Sequence, residues 1–528
     1  MTTLQTHFGA EQSALVGGAL KRRWLRQALA LLAALSTLVL ATVTPALAAT
    51  QQLVRISSDP YTNPTSNHKT EVEPDTFAFG STIVSVFQVG RFFDGGASNI
   101  GWATSTNAGA TWTPGFLPGT TTIVNGRYDR VSDPSVAFDA KHNVWLISYL
   151  GLVGTSAADV LVSRSTDGGR TWGNPVAVDK RGSGPTHQLL DKNWTVCDDT
   201  ATSPFYGHCY TEYDNNSQLN LVQMRTSTDG GLRWGAAKTT PDNACVIGGQ
   251  PVVQPNGTVI VPIDDCFETA VLSFRSTDGG LTWSQTFLGA QILFNGDPGG
   301  IRSGALPSAE VDKSGRVYVV WPDCRLEARC SAPIGTNDLM LITSDDGVHW
   351  TVPKRIPIDP VGSGADHFIP GLAVGKSTAG KSAHLGLAYY NYPNSNCTPS
   401  TCQLKVGFIS SANGGASWSA PEQLAGPMTP TWLPLTTQGF MVGDYISTSI
   451  VSADDDATPV FAAATAPTPP PNCSNLTTGA PGLGCNEAMF TTAEDVVKMI
   501  GGTNLSTDAA PAAMPTAKSR MSRRATAF

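Results

Sequence analysis

Acidic and basic residues recur at the predicted starts of several short β-strands in this chain. They stand beside Pro or just before β-branched runs, as in the stretches 71–74 (EVEP), 132–134 (SDP) and 191–193 (DKN). The candidate site residues at these positions are Glu73, Asp133, Asp191, Lys192, Gln250, Asp366, His367 and Asp444. Carboxyl groups that converge raise one another's pKa, which suits acid–base chemistry or the binding of a cation. Hydration of a central channel is the alternative role for any one of them.

A second set of candidates follows the second strand of each predicted repeat. These residues are Arg91, Asp94, Asp264, Arg325 and Tyr390. An Arg guanidinium can hold a carboxylate through two parallel hydrogen bonds, and a Tyr or His can act as a base beside a neutralising cation. We expect both sets to meet on one face of the molecule, where they would form a ligand site.

A repeated octet positions these residues. Residues 165–172 read STDGGRTW, and related copies start at Ser105, Ser227, Ser276, Thr343 and Ser411. The shared pattern, Ser/Thr-x-Asp/Asn-x-Gly-x-x-Trp, is turn chemistry, because the acidic or amide side chain caps backbone N–H groups and Gly supplies a positive φ. The Trp can fold back over the turn. Copies that start 49 to 68 residues apart predict an array of small β-modules.

Each octet lies between short strand-like runs, so that a repeat contains four antiparallel strands, as in the blade of a β-propeller. Three further strands follow the sixth octet without a closing box. The missing fourth strand is expected at the N-terminus, because residues 53–60 (LVRISSDP) resemble residues 354–360 (KRIPIDP), which follow an octet. We therefore predict an all-β propeller over residues 49–500 with seven blades, the last closed by the N-terminal strand. Six blades with irregular ends are the alternative.

The octet is similar to the Asp box, or BNR repeat, of sialidase-like β-propellers, and this resemblance covers roughly the whole chain after its leader. It implies that the boxes are structural and face away from the central pocket. Sialidases clamp a sialic acid carboxylate with three Arg, use a Tyr nucleophile assisted by Glu, and use an Asp as acid/base. Arg91 and Asp94 match the second Arg and this Asp.

Other positions depart from the sialidase pattern. Glu73 stands where the first Arg is expected, and His367 stands where the Tyr is expected. Gln250 and Asp264 replace the Glu and a following Arg, so most of the clamp and the nucleophile are not in place. An acidic ring fits a neutral or cationic ligand, or a cation such as Ca²⁺ held by oxygen atoms, better than a sialic acid carboxylate.

Two classes of function follow from the resemblance. The first is a glycan-acting enzyme, a glycosidase of exo-α-sialidase type with an atypical site in which Asp94 works with Glu73 or Asp133. The second is a non-catalytic extracellular propeller that binds a glycan or calcium. A lyase with Tyr390 or His367 as its base is a further alternative. In each case the expected partner is a glycan.

The two ends of the chain have their own compositions. Residues 1–48 read as a signal peptide, because a basic stretch precedes an apolar run that ends in the small-residue cleavage site Ala46–Ala48. Residues 501–528 are rich in Ala, Pro and Ser and predict a disordered tail. We expect a secreted monomer with no transmembrane anchor after cleavage of the leader. The formal charge of −8 argues against nucleic acid as a partner.

The ten cysteines fall as sequence neighbours, which predicts local disulfides in an exported protein. The expected pairs are Cys197–Cys209, Cys245–Cys266, Cys324–Cys330, Cys397–Cys402 and Cys473–Cys485. Zinc ligation is the rival interpretation, but the chain has no Cys-x-x-Cys pair to favour it.

Overall fold

The computed structural model describes residues 52–328, 330, 335–451, 456–468, 472–475, 478–481, 484–493 and 505–506. The chain divides into residues 1–50 and residues 51–528. The predicted signal peptide lies outside the described residues, as does the predicted tail apart from residues 505–506. The domain boundaries proposed at residues 48 and 500 therefore stay predictions. In the described part, no helix is long and apolar enough to cross a membrane.

The described chain is built from short antiparallel strands that form seven meanders. The N-terminal strand is β1 (Leu53–Arg55). The first meander contains β2 (Glu71–Phe79), β3 (Thr82–Arg91), β4 (Ala97–Ser105) and β5 (Thr113–Phe116). The second contains β6 (Arg130–Asp139), β7 (Val144–Val153), β8 (Ala157–Ser165) and β9 (Val176–Asp179). One backbone pair, Ala97 with Val131, joins these two into a single sheet.

The next three meanders repeat this order. The third contains β10 (Leu190–Cys197), β11 (Cys209–Asn215) and β12 (Leu221–Ser227). The fourth contains β13 (Val246–Gly249), β14 (Val252–Val253), β15 (Val259–Asp265), β16 (Ala270–Ser276) and β17 (Phe287–Gln291). The fifth contains β18 (Ser308–Val311), β19 (Val317–Asp323), β20 (Asp338–Ser344) and β21 (Lys354–Arg355). In the third, an isolated bridge between Met224 and Lys238 takes the place of the outer strand.

The last two meanders complete the described fold. The sixth contains β22 (Asp366–Val374), β23 (Leu385–Tyr392), β24 (Leu404–Ser411) and, beyond the short β25 (Ser417–Trp418), β26 (Glu422–Met428). A small hairpin follows, made of β27 (Leu435–Thr436) and β28 (Gly439–Phe440). The seventh contains β29 (Ser447–Val451), β30 (Asp456–Ala464) and β31 (Glu487–Thr492), and β32 (Leu505–Ser506) pairs with β25. Single turns of 3-10 helix lie at Thr122–Val124, Asn216–Gln218, Pro298–Gly300, Gly380–Ser382 and Pro430–Trp432.

The N-terminal strand completes the seventh meander. β1 pairs antiparallel with β31, with Leu53 opposite Thr492 and Arg55 opposite Phe490. Just beyond the strand, Ile56 is buried in the same core as the sixth and seventh meanders. This placement of the N-terminal strand in the last sheet confirms the prediction made from the likeness of residues 53–60 to residues 354–360.

The first strands of the meanders contact one another in sequence. β2 packs against β6, β6 against β10, and β10 against β13, while β14 packs against β18, β18 against β22 and β22 against β29. Contacts between β29 and β2 complete the cycle. The first strands therefore follow one another in a closed cycle within the described chain.

Most first strands carry a bulge near their start. The pairing register shifts in β2, β6, β10, β13 and β22. The bulged residues have positive φ: 56° at Glu73, 49° at Asp133, 52° at Lys192, 114° at Gly248 and 49° at Ile369. A bulge changes the direction of a side chain, which no longer follows the alternation of side chains along the strand. Non-glycine residues at positive φ cluster at functional sites. In three neighbouring meanders, the residue with this strained backbone conformation is thus charged: Glu73, Asp133 and Lys192.

The octets occupy the turns between the third and fourth strands, at the opposite end of each meander from the start of its first strand. In the second copy, Asp167 Oδ1 accepts from the N–H groups of Arg170 and Thr171, and Ser165 Oγ accepts from that of Gly169. Burial alone would raise the pKa of Asp167, but hydrogen bonds from Thr171, Ser165 and Arg170 outweigh it and lower the pKa to about 2. These acids act as caps.

The fifth octet is shifted by one residue from the predicted pattern. Ser344 and Asp346, rather than Thr343 and Asp345, make the turn, with Asp346 Oδ1 accepting from the N–H groups of Val348 and His349. Asp345 instead forms two hydrogen bonds with Arg316, of 2.7 and 2.9 Å. Two consecutive acids made the start of this copy ambiguous in the sequence.

Candidate functional site

A pocket lies where the starts of the first strands meet. Its walls come from six meanders or the segments that lead into them. The lining residues are Asp133, Lys192, Asn193, Trp194, Gly248, Gly249, Gln250, Leu306, Pro307, Ser308, Pro370, Asp444, Tyr445 and Ile446. The empty volume of the pocket, including the part that is open to solvent, is about 520 Å³. A mostly apolar cleft with a few convergent polar groups is the usual form of a small-ligand site.

Asp444 is held by two cations in the wall of this pocket. Arg302 Nε and Nη2 donate to the two carboxylate oxygens at 2.7 and 2.5 Å, and Lys192 Nζ donates to Oδ2 at 2.6 Å. All three side chains are about nine-tenths buried. Burial opposes ionisation of Asp444, but Arg302 and Lys192 overcome it and hold its pKa well below the ordinary value. Asp444 is therefore a carboxylate at every physiological pH.

Glu73 lies next to this group and carries a network of hydrogen bonds. Gln88 Nε2 donates to Glu73 and, at 3.1 Å, to Ser132 Oγ, which in turn donates to Asp133 Oδ1 at 2.5 Å. Arg91 Nη1 donates to Gln88 Oε1 at 2.8 Å. Burial raises the pKa of Glu73 to about 8, and Asp133 and Asp444 add to the rise. Glu73 thus keeps its proton near neutral pH, behind the pocket-facing Asp133.

Further carboxyl groups stand behind Lys192. Asp191 lies directly opposite Asp214 on the neighbouring strand, and Glu212 lies opposite Trp194. Burial, with Asp133 next in effect, raises the pKa of Asp191 to about 7. Burial also raises the pKa of Asp214 well above its ordinary value, and neither of its oxygens has a hydrogen-bond partner among the described residues. Burial therefore makes these carboxyl groups harder to ionise than free ones, and the ring is less negative than its composition suggests.

An aromatic pair forms one wall of the pocket. The rings of Trp194 and Tyr445 meet edge to face with centroids 5.2 Å apart, and Lys192 Nζ lies 6.0 Å from the Tyr445 centroid. Tyr445 Oη donates to the carbonyl of Pro134 at 3.0 Å, which fixes the ring. Asn193 donates to Ser148 Oγ at 2.9 Å, while its own Oδ1 has no hydrogen-bond partner in the described chain. The wall offers two apolar rings set at an angle of 75° to each other, beside a buried amide oxygen.

Several predicted site residues lie together at the pocket. Asp133, Lys192, Gln250 and Asp444 line it. Glu73 contacts Asp444 through the backbone N–H of that residue, at 3.4 Å. Arg91 joins the network of Glu73 through Gln88, and Asp191 directly precedes Lys192 on β10.

Four other predicted site residues lie outside the pocket. Asp94 is half-exposed and pairs with Arg130 at 2.5 Å. Arg325 donates to both oxygens of Asp323, at 2.8 and 2.7 Å, beside the Cys324–Cys330 bridge. Tyr390 is buried between the sixth and seventh meanders and donates to the carbonyl of Ala462 at 2.7 Å. Asp264 is fully buried on β15. None of these four lines the pocket.

Asp366 and His367 belong to a separate polar cluster. Asp366 Oδ1 accepts from the backbone N–H of Asn337 at 2.8 Å, and His367 Nδ1 lies 3.3 Å from the carbonyl of Asn337. Burial raises the pKa of Asp366 well above its usual range and lowers that of His367. A neutral His in this place is oriented mainly by the backbone.

The same cluster contains a group of possible metal ligands. Ligand atoms of Asp338, Asp359 and His367 lie within 4.8 Å of one another. Arg355, however, pairs with Asp338 at 2.8 Å and with Asp359 at 2.5 Å. Its guanidinium already supplies the positive charge between the two carboxylates, so this donor set does not fit a divalent cation. Calcium binding stays an expectation.

Sequence reasoning missed several participants, including Asn193 and Trp194, which follow Lys192 on β10. Arg302 lies in an irregular segment after the 3-10 turn at Pro298–Gly300, so the strand pattern carried no signal for it. Gln88 sits inside β3, where an isolated polar residue in an apolar run was the available signal. Tyr445 was visible in the stretch 443–445 (GDY) at the start of the last repeat, but only its neighbour Asp444 was assigned a role.

All five predicted disulfides are present, and no cysteine is free. The bridges join neighbours in sequence and so staple individual loops. Five bridges fit a protein that matures in an oxidising, extracellular environment.

Several known proteins are similar to this chain in sequence or in structure. Residues 96–332 match the family model of the BNR repeat-like domain. A sialidase of Bacteroides fragilis is 23% identical over an alignment of 299 positions that covers 49% of this chain and 49% of that protein. The chain thus spans about half the length of this curated relative. Among solved structures, a Hadza microbial sialidase (13% identity, 85% of this chain, 96% of that one) gives a TM-score of 0.43. A polysaccharide lyase, an ulvan lyase (9%, 84% and 96%), gives 0.47.

Proposed function

We propose that this chain, which is sialidase-like in sequence and carries a BNR repeat-like domain, binds and acts on a glycan in the pocket between Trp194 and Asp444. The relative named as a sialidase supports a carbohydrate as the ligand class. The observation that carries the proposal is the combination of an aromatic wall, an unpaired amide oxygen and buried charged groups in one cleft.

The architecture that we infer is a β-propeller of seven blades. Its support is the cycle of contacts among the first strands and the pairing of β1 with β31. In such a propeller the first strands surround the axis, and the pocket opens at one end of that axis. The octets then lie on the opposite face, away from the ligand. We also propose secretion, supported by the five disulfides and the N-terminal sequence.

Sugar recognition suits the chemistry of the walls. A sugar ring presents an apolar face that can lie against Trp194, and hydroxyl groups that donate to the free Oδ1 of Asn193 or to Asp133. Gln250 is fixed on the other side because its Oε1 accepts from the backbone N–H of Ala309 at 2.8 Å, which leaves its amide N–H groups for a ligand. Few polar groups on a rigid scaffold are what orient a bound sugar.

Glycoside hydrolysis is the reaction that we propose at this pocket. Hydrolysis needs one carboxyl group that holds a proton at neutral pH and a second group on the other side of the scissile bond. Glu73 holds its proton up to about pH 8, and Ser132 and Gln88 connect it to the pocket-facing Asp133. Asp133 is the group that would meet substrate and take the proton of the attacking water, with Glu73 positioning it from behind; the proton for the leaving-group oxygen would come from water in the pocket.

A non-catalytic glycan-binding role is the second candidate. The observation that favours it is that Asp444, the other carboxylate of the pocket wall, is fully engaged by Arg302 and Lys192. Asp133 is then the one carboxyl group available to a ligand among the described lining residues. Binding needs no second carboxylate, whereas hydrolysis does.

The two candidates separate in one experiment on the mature protein. We would measure binding to a glycan array and turnover of sialosides and neutral glycosides, with and without EDTA. Trp194→Ala should abolish binding, and Asp133→Asn should abolish turnover while binding remains. Box variants Trp112→Ala and Asp167→Asn, in turns at the far end of the meanders, are the matched controls. Binding without turnover on any glycan would support the second candidate, and no binding at all would refute both.

A further inference from the structure

The two cations nearest the pocket are both committed to one internal carboxylate. Lys192 is the single Lys or Arg among the described lining residues, and Arg302 reaches the wall through Asp444. Arg302 makes the two parallel hydrogen bonds that a guanidinium makes with a bound carboxylate, and Lys192 adds a third at 2.6 Å. Such a fork, with an ammonium beside it, is a complete recognition site for a carboxylate. In this protein the carboxylate in that site is the side chain of Asp444.

The cations at the pocket are already committed to groups of the chain. Lys192 and Arg302 pair with Asp444, and Asp133 Oδ2 lies 3.8 Å from Lys192 Nζ. Arg91, which is not among the lining residues, donates to Gln88. Arg302 Nη1 has no hydrogen-bond partner among the described residues, yet it lies behind Asp444 rather than in the lining. An acidic ligand would find no unpaired cation to contact.

We infer, on the basis of the proposed glycan site, that Asp444 fills a carboxylate-binding site from within and so makes the pocket select neutral over acidic sugars. An incoming carboxylate would have to displace Asp444 and leave it buried and unpaired, which is strongly unfavourable. Asp444 also competes intramolecularly, at an effective concentration that free ligands do not reach. A neutral ring requires neither displacement nor charge compensation, and its hydroxyl groups match Asn193, Asp133 and Gln250.

Replacement of Asp444 should convert the internal site into an external one. Asp444→Gly removes a CH₂–COO⁻ group and leaves Arg302 and Lys192 facing a space of the size of acetate. Acetate is therefore the probe. We expect a saturable rise in the Tm of Asp444→Gly with sodium acetate that sodium chloride at equal ionic strength does not reproduce. Acetate should bind this variant at least roughly tenfold more tightly than wild type, the factor that one charge-assisted hydrogen bond supplies.

The matched control is Asp345→Gly. Asp345 also makes two hydrogen bonds with an Arg, Arg316, but the pair is exposed to solvent. Acetate should not stabilise this variant more than chloride does. An equal response of the two variants would overturn the inference, as would wild-type protein that binds acetate as tightly as Asp444→Gly.

The test also covers a variant that folds poorly. If Asp444→Gly is insoluble, it is refolded from urea in acetate or in chloride. Selective recovery in acetate supports the inference, and equal recovery in both salts refutes it. This readout needs no glycan, so its failure is distinct from a failure of the proposed function.

The substrate class has its own measurement. Wild-type protein should bind a neutral methyl glycoside in preference to the matching uronoside, which differs by its carboxylate, and Asp444→Gly should shift this preference towards the uronoside. Wild-type preference for the uronoside would overturn the assignment of a neutral ligand.

Discussion

The junction between β1 and the seventh meander allows a quantitative test through Ile56. Only 1% of the surface of Ile56 is exposed to solvent, and its backbone N–H donates to the carbonyl of Met489 at 2.9 Å. Ile56→Ala removes about three carbon atoms at ~0.8 kcal/mol each, a transfer loss of ~2.4 kcal/mol. The cavity left behind adds about 1 kcal/mol, which gives ~3.4 kcal/mol within the range known for Ile→Ala in cores. The backbone pairing of β1 stays intact.

The assay is urea denaturation of the mature protein, followed by Trp fluorescence and by far-UV circular dichroism. The midpoint for Ile56→Ala should fall with both probes together, because β1 belongs to the same core as the sixth and seventh meanders. Gln52→Ala, an exposed side chain just before β1, is the control and should change stability by less than about 0.5 kcal/mol. A loss below about 1 kcal/mol for Ile56→Ala would show that the side chain of Ile56 does not anchor the N-terminal segment in this core.

Three further predictions concern the buried acids and the turns. Glu73 is protonated in the folded state up to about pH 8 but loses its proton near 4.5 when unfolded. The stability that it contributes is therefore complete below pH 4.5 and declines as the pH rises to 8. Glu73→Gln should flatten that decline in urea midpoints measured across this window. Ser57→Ala should cost about 1–3 kcal/mol in the same assay, because Ser57 Oγ accepts from the N–H of Met489 and donates to Glu71. Its loss leaves that N–H unpaired and leaves Glu71 with Arg55, 3.9 Å away. A cost equal to that of Ser58→Ala, on an exposed neighbour, would contradict this. Asp167→Ala should lower stability by about 1 kcal/mol through loss of two capped N–H groups while glycan binding is unchanged, and weakened binding would contradict the placement of the boxes.

Local turn chemistry made the repeats predictable from the sequence. The octet determines its own geometry, since Ser165, Asp167 and Gly169 act within a few residues of one another. Strand order followed from the same repeats, and the pairing of β1 with β31 followed from a likeness between two short segments. The disulfides were predictable for a similar reason, because each joins close neighbours in the sequence.

The site was only partly predictable because its contacts are long-range. Arg302 and Asp444 lie 142 positions apart, and Lys192 and Asp444 lie 252 apart. No local pattern shows that Arg302 leaves an irregular segment to meet Asp444. Asp94 and Tyr390 were expected on the same face as Glu73. The bulge in β2 turns Glu73 towards the cluster, whereas Tyr390 is packed in a core and Asp94 is paired with Arg130.

The pairing of β1 with β31 also affects the order in which the chain can fold. Ser57 Oγ meets the N–H of Met489 across 432 residues of chain. At a synthesis rate of about 5–20 residues per second, β1 waits roughly 20–90 s for its partner. During that time Ile56 and the strand edge are exposed to other chains, and unpaired edges are templates for aggregation. The last sheet therefore forms late, after the other meanders have had time to fold.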